Sequence, residues 1–212
     1  MRDKTTTGPL QWVSLDGRTK DFWCDLDDGR TIRMTFLALV DVASCAVLGW
    51  ELATSENARS TQRLIRKVCA QSGIFDNIYP DNGPAFAGQL VAGGTEKKSL
   101  RGKAWALEAV IPLGICHHLG IEMTFATPGN GQAKYAERAF AVMSRRIDGR
   151  PEFAGAHAGH EPGAAPGPNI KPVPLALAMQ VLEREVARHN ALAGRRGQGM
   201  RGRSCHTNRR SC

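Results

Sequence analysis

The stretch Met34-Thr-Phe-Leu-Ala-Leu-Val40 is nearly continuous apolar sequence and stops at Asp41. A strand with apolar residues on both sides of its pleat is buried on both faces, so this segment reads as the middle of a sheet covered above and below. Working outward from it, Val47 to Ala53 reads as the next strand. On the other side, Leu10 to Asp16 carries Trp12, Val13 and Leu15 and predicts a strand ending at Asp16-Gly17. Phe22 to Leu26 predicts a further strand, followed by an Asp27-Asp28-Gly29 turn.

Helices enter after these strands. Ser55-Glu-Asn-Ala58 opens one whose stripe is Leu64, Ile65, Val68 and Cys69, with Gly73 as its stop. Ile74 to Tyr79 reads as a short strand delivering the chain to Pro80-Asp81-Asn82-Gly83-Pro84. Residues 87 to 104 read as an insertion loop, Leu107 to His118 as a helix interrupted near Pro112, and Ile121 to Ala126 as a strand. Beyond the loop Thr127-Pro-Gly-Asn-Gly131, a helix is expected from Gln132 to Ile147, because Ala133, Ala136, Phe140, Met143 and Ile147 fall on one helical face.

The composition then changes. Residues 151 to 174 hold six Pro, four Gly and five Ala, the composition of a linker or wrapping arm, and a last helix is expected from Leu175 to Ala193 around Leu177, Val181, Leu182 and Val186. The expected organisation is a lead-in (1–9), a core (10–150), the arm (151–174), a helix (175–193) and a basic tail (194–212). Strands first, then alternating helix and strand, make this an α/β chain with a mixed sheet and flanking helices.

The 212 residues carry a net charge of +8 with 42% apolar and 23% charged residues, which excludes wholesale disorder and a fibrous chain. No apolar run approaches the roughly 20 residues of a membrane span, and the N-terminus lacks a signal-peptide core, so a soluble, cytoplasmic chain is expected. The tail supplies six Arg and no acid, leaving +2 for the rest. A polyanionic partner is therefore plausible without being dictated by charge alone. The six cysteines never form a Cys-x-x-Cys pair and read as reduced thiols; Cys116-His117-His118 and His157/His160 read as ordinary side chains before they read as metal ligands. Trp12, Trp23, Trp50 and Trp105 read as core or interface residues, three of them in expected strands.

Three acids fall where this layout places chemistry: Asp16 at a strand end, Asp81 just after another strand, and Glu137 on the last core helix. Each has a plainer explanation as a turn residue or a solvated helical acid. Glu137 borders the apolar face through Ala136 and Phe140 and shares its edge with Lys134 and Arg138; an intrahelical Lys134/Glu137 pair is the alternative.

The block Val13-Ser-Leu-Asp-Gly17, then Asp41-Val, Leu48-Gly-Trp50 and Ser55-Glu-Asn57, resembles the catalytic core of phage Mu transposase and its Mu-like prophage relatives. So do Asp81-Asn82 and, most specifically, Gly131-Gln-Ala-Lys-x-x-Glu-Arg-Ala-Phe140. The similarity covers residues 10 to 193, and its long interval between the second and third acids, 56 residues, suits the Mu-like branch better than retroviral integrases. The resemblance implies a ribonuclease H-like fold and an Asp, Asp, Glu triad of the DDE transposase and integrase superfamily. Carried over by position, the triad is Asp16, Asp81 and Glu137, whereas Asp25, Asp27, Asp28 and Asp41 do not match it.

That triad would hold two Mg²⁺ or Mn²⁺ ions, Asp16 bridging both, for cleavage of DNA at element ends and transfer of the 3′-hydroxyl into target DNA. The implied partners are DNA and further copies of the chain assembled on it. Lys134, Arg138, Arg145 and Arg146 are candidates for phosphate contacts, or form a solvated basic face.

The family's proteins are longer, with end-binding domains before the core and a basic barrel after it. Residues 200 to 212 do not resemble the family's continuation, and a truncated or frame-shifted bacterial prophage remnant is expected. Two other readings stay open: a metal-dependent nuclease of the same fold, and a catalytically idle DNA-binding or oligomerisation module.

Overall fold

A computed structural model describes residues 7–80, 114–124, 133–157 and 168–192, with the side chains of 133–137 outside the description. Five strands form the main sheet: β1 (Trp12–Thr19), β4 (Thr35–Asp41), β5 (Val47–Ala53), β6 (Asn77–Pro80) and β7 (Glu122–Met123). Their order is β5-β4-β1-β6-β7. The β5, β4 and β1 neighbours run antiparallel, while β6 and β7 join parallel to β1.

All seven residues of β4 are buried, as the apolar run requires, and the two periodicities of the strand feed two cores. Leu37 and Leu39 join Val13, Leu15 and Ile78 beneath α1 (Ala58–Ser72), which contributes Leu64, Ile65 and Val68. The short helix α2 (Ile115–His118) adds Cys116 to the same cluster. Phe36, Ala38 and Val40 face the opposite way, into a cluster with α3 (Ala133–Asp148) and α4 (Leu175–Ala191). Burying Phe140, Met143 and Ile147 of α3 there realises the spacing that predicted this helix.

Helix α1 starts as its sequence dictates: the Asn57 side chain accepts from the Ser60 N–H at 3.0 Å, and Gly73 closes the other end with φ +93°. Close packing of α1 on β5 depends on Gly49, where an added Cβ would lie 2.4 Å from Val68 Cγ2. Gly49→Ala is therefore expected to destabilise the chain by about 1–3 kcal/mol through overpacking. Thermal melts should show a drop of several degrees; an unchanged melt would mean that α1 slides on the sheet without cost.

Two expectations need correction. The first strand does not stop at Asp16: it continues to Thr19 because Asp16, Gly17, Arg18 and Thr19 pair with Ala38, Leu37, Phe36 and Thr35. Turn chemistry at Asp-Gly is overridden by the long partner strand. The predicted strand Phe22 to Leu26 shrinks to β2 (Cys24–Asp25), paired with β3 (Thr31–Ile32) around the turn at Gly29, so Trp23 precedes a strand instead of lying in one.

The described ends of the Pro/Gly/Ala-rich stretch pack against the core. Phe153, in a single 3-10 turn (Pro151–Phe153), is fully buried and stacks on Phe22 with centroids 3.8 Å apart. Val173 then pairs parallel with Cys24, making β8 (Val173–Pro174) the third strand of a small β3-β2-β8 sheet. Among the described residues no helix is long and apolar enough to cross a membrane. The insertion at 87–104, the loop at 127–131, Trp105 and the tail lie outside the described residues.

Candidate active site

Asp16 occupies the middle of β1, the strand on which the sheet changes from antiparallel to parallel. Side chains alternate along a strand. Leu15 packs beneath α1, and Trp12 packs in the cluster with α3 and α4, so Asp16 belongs to the α3 side of the sheet. It is half-buried, and its Oδ1 accepts the N–H of Gly17 at 2.8 Å. Gly17 is confined in turn: a Cβ there would meet Leu37 Cδ2 at 2.8 Å and Glu56 Oε2 at 3.2 Å.

Strand β6 runs parallel to β1, with Ser14 opposite Tyr79 and Leu15 opposite Pro80. Trp12 and Tyr79 stack on the α3 side at a centroid distance of 4.5 Å. Asp81 follows Pro80 in the chain but lies outside the described residues. Glu137 is in the second turn of α3, and its side chain, like that of Lys134, lies outside the description. Arg138, Arg145 and Arg146 are exposed on the same helix.

The other acids near this strand have structural work. Asp41 is 1% exposed and accepts from the backbone N–H groups of Leu10 at 3.0 Å and Ser44 at 2.7 Å, closing the turn between β4 and β5. Asp25 accepts from the Thr31 hydroxyl, and Asp28 pairs with Arg30 across the β2–β3 turn. Hydrogen bonding from Arg30 holds the Asp28 carboxyl below its ordinary value. Burial pushes the Cys24 and Cys69 thiols up to about 11 and that of Cys116 to about 12, so these sulfurs stay protonated and are poor nucleophiles. His117 and His118 are exposed.

An ion pair beside the site joins two residues that no sequence motif links. Lys20, on the α3 side one residue past β1, is completely buried; its Nζ lies 2.9 Å from Asp148 Oδ1, 2.7 Å from Ser144 Oγ and 3.2 Å from the Ser144 carbonyl. The ammonium also sits 5.4 Å above the Phe36 ring. Burial lowers the pKa of Lys20 against the pull of Asp148, and burial raises that of Asp148 against the pull of Lys20. Lys20 sits in Thr19-Lys-Asp21, a polar stretch that looks like a turn. Its only signal is the alternation Trp12, Ser14, Asp16, Arg18, Lys20, visible once the strand is known to run on. A second network joins Arg150 to Glu185 at 3.2 Å and Arg184 to Glu152 at 2.6 Å, fastening the end of α3 to α4.

The family described as Bacteriophage Mu transposase matches residues 5–209 of this chain. The chain belongs to that family. The match reaches into residues 200–209, against the expectation that the likeness to the family stops at residue 193. It therefore carries a DDE transposase-type catalytic domain. No curated protein matches the chain. Among solved structures, the catalytic core domain of BIV integrase is similar with a TM-score of 0.50 and 16% identity, over 87% of this chain and 86% of that one. A chain of the simian T-cell lymphotropic virus intasome, in complex with PP2A regulatory subunit B56 gamma, has the same TM-score of 0.50 and 16% identity over 87% of this chain and 49% of its own. At these identities the likeness establishes the fold, a mixed sheet with flanking helices of the ribonuclease H-like kind.

Proposed function

We propose that this family member is a metal-dependent polynucleotidyl transferase that cleaves DNA at element ends and joins the freed 3′-hydroxyl to target DNA, with Asp16, Asp81 and Glu137 as its catalytic acids. The observation that carries the reading is the level of α3 against β1. Phe140 stacks on Phe36, which is paired with Arg18, and Ser144 meets Lys20. Moving from residue 140 to 144 along the helix thus accompanies moving from 18 to 20 along the strand. Three residues back from Phe140 is a rise of about 4.5 Å, and two residues back from Arg18 is about 7 Å. That supports Glu137 lying near the level of Asp16 on the same side of the sheet. Asp81 is one residue beyond Pro80, and continuing the parallel register by one step would set it beside Asp16.

The donor set suits hard divalent cations: three carboxylates, with the buried thiols of Cys24 and Cys116 on other elements. Two Mg²⁺ or Mn²⁺ ions held by Asp16, Asp81 and Glu137 would supply charge relief at phosphorus and lower the pKa of the attacking hydroxyl. In the first reaction water adds to phosphorus and the P–O3′ bond breaks, the 3′-oxygen leaving with a proton. In the second that 3′-hydroxyl loses its proton, bonds to a target phosphorus and expels the target's own 3′-oxygen. No protein atom becomes covalently attached, so the side chains need only hold, orient and neutralise.

Lys134, Arg138, Arg145 and Arg146 would fix the DNA backbone. Arg138→Gln, Arg145→Gln and Arg146→Gln are each expected to weaken binding on any sequence and to reduce the salt slope of log K by about 1. Fluorescence anisotropy across a salt series measures this; an unchanged slope removes that residue from the contact. The intasome likeness supports assembly of several copies on DNA.

The function is tested by incubating the chain with a 3′-hydroxyl-ended duplex, a supercoiled plasmid and Mn²⁺. Duplex joined to plasmid is the expected product. Hydrolysed DNA without joined product would make the chain a nuclease of the same fold, and binding without either product would make it an idle binding module.

A further inference from the structure

Resting on that reading of the three acids, we propose that Lys20 is a positioning residue: its buried ammonium, gripped by Ser144 and Asp148, fixes how far α3 lies along β1 and so sets whether Glu137 reaches the ions held by Asp16.

Helix α3 is held to the sheet by more than this pair. Its other named contacts with the sheet are apolar: Phe140 on Phe36, with Met143 and Ile147 in the same cluster. Apolar burial is non-directional and tolerates small slides of a helix over a sheet. An ammonium that donates to a hydroxyl at 2.7 Å and a carbonyl at 3.2 Å is different, because both hydrogen bonds specify a direction, and the Asp148 carboxylate 2.9 Å away, without a hydrogen bond of its own, adds charge attraction at the same end of the helix. All three partners belong to one helical turn of α3, while the backbone of Lys20 is tied to the neighbouring strand through its N–H to the Met34 carbonyl at 2.8 Å.

Stability alone does not call for this arrangement. A buried ion pair gives up so much hydration that an apolar pair of similar volume commonly serves as well. What the pair adds is a fixed distance. From Lys20 back to Asp16 is four strand residues, about 13 Å, and from Ser144 back to Glu137 is seven helical residues, about 10 Å. The two arms run in the same sense from one pin, so a slip at Lys20 is delivered undiminished at Glu137. Misplacement by about 1 Å at a reacting centre can cost on the order of a hundredfold in rate.

The test uses the full chain labelled with ¹⁵N, titrated with Mn²⁺ alone, reading paramagnetic broadening of the amides at Asp16 and Glu137. In the wild type both are expected to broaden together. In Lys20→Met/Asp148→Leu, an apolar replacement of the pair, the expectation is a melt close to wild type, unchanged broadening at Asp16, and a several-fold loss of broadening at Glu137. Equal broadening at both positions in that variant would overturn the proposal. If the double variant does not fold, Asp148→Glu decides: it keeps both charges and lengthens one arm by a methylene, so positioning predicts weaker broadening at Glu137, and broadening there equal to wild type would overturn the proposal. Absence of broadening at both amides in the wild type would instead overturn the reading of the metal site on which the proposal rests.

Discussion

Asp16→Asn is expected to abolish DNA cleavage and strand transfer, by about a thousandfold or more, while leaving the melting temperature within a few degrees of wild type. The magnitude follows from the several kcal/mol of transition-state charge stabilisation that a held metal ion supplies, at 1.36 kcal/mol per factor of ten. Stability should survive because the amide oxygen of Asn can accept from the Gly17 N–H as the carboxylate Oδ1 does at 2.8 Å. The neighbouring strand pairing with Ala38 involves only backbone. Asp16→Glu is informative beside it: the charge is kept but the longer arm moves the oxygens, so a large loss is again expected. Paired cleavage and joining assays with thermal melts check both variants. Substantial residual joining by Asp16→Asn would remove this residue from the catalytic set.

The second large effect is on stability. Lys20→Met leaves Asp148 without its cation in a site where that carboxylate is only 8% exposed, and breaking such a pair costs about 3–5 kcal/mol. For a domain of this size that corresponds to a fall in melting temperature on the order of 10 °C. The loss should depend on pH in a definite sense. Burial already raises the Asp148 carboxyl above its ordinary 3.8, and removing Lys20 removes the charge that opposes this. A carboxyl whose pKa is raised on folding binds a proton more readily in the folded chain, so folding is favoured by acid. The penalty of Lys20→Met should therefore be smallest toward pH 3.8 and grow as pH rises through the raised folded value. Urea denaturation at mildly acid and at neutral pH measures it; a penalty that is larger in acid would show that Asp148 stays ionised without Lys20.

Much of the scaffold was legible because its signals are local. The apolar run at Met34–Val40, the helix start at Ser55-Glu-Asn-Ala58, the Gly73 stop and the spacing of Phe140, Met143 and Ile147 each follow from a few neighbouring residues, and each stands where it was expected. The misreadings came where a distant partner decides. Asp16-Gly17 looks like a turn, yet β4 supplies seven consecutive pairing partners and carries the strand through it. Lys20 draws no expectation from its neighbours, because its partners lie 124 and 128 positions away on α3, a separation no short-range pattern records. The folding back of Phe153 and Val173 was hidden for the same reason: Pro, Gly and Ala describe a chain without regular structure, not where its few large side chains will dock.

The acids of the site divide in the same way. Asp41 was separated from the catalytic candidates by its place in a resemblance, and its three hydrogen-bond donors explain physically why a buried carboxylate is needed there. Asp16 stands on the strand that joins the antiparallel and parallel halves of the sheet, where a parallel neighbour ends at Pro80. In an open sheet, ligands gather at such reversals of strand order, beyond the carboxyl ends of the parallel strands. Composition could not have located it, because acids cluster equally around Gly29, where Asp25 and Asp28 bind Thr31 and Arg30 of the β2–β3 hairpin.

The central claim is that Asp16 and Asp81 together hold a divalent cation within reach of Glu137. A crystal of the chain soaked in Mn²⁺ tests it most directly, through anomalous density. A peak shared by the Asp16 and Asp81 carboxylates at ligand distance is expected, with Glu137 on the same side of the sheet. Those two carboxylates lying far apart with no peak between them would contradict it.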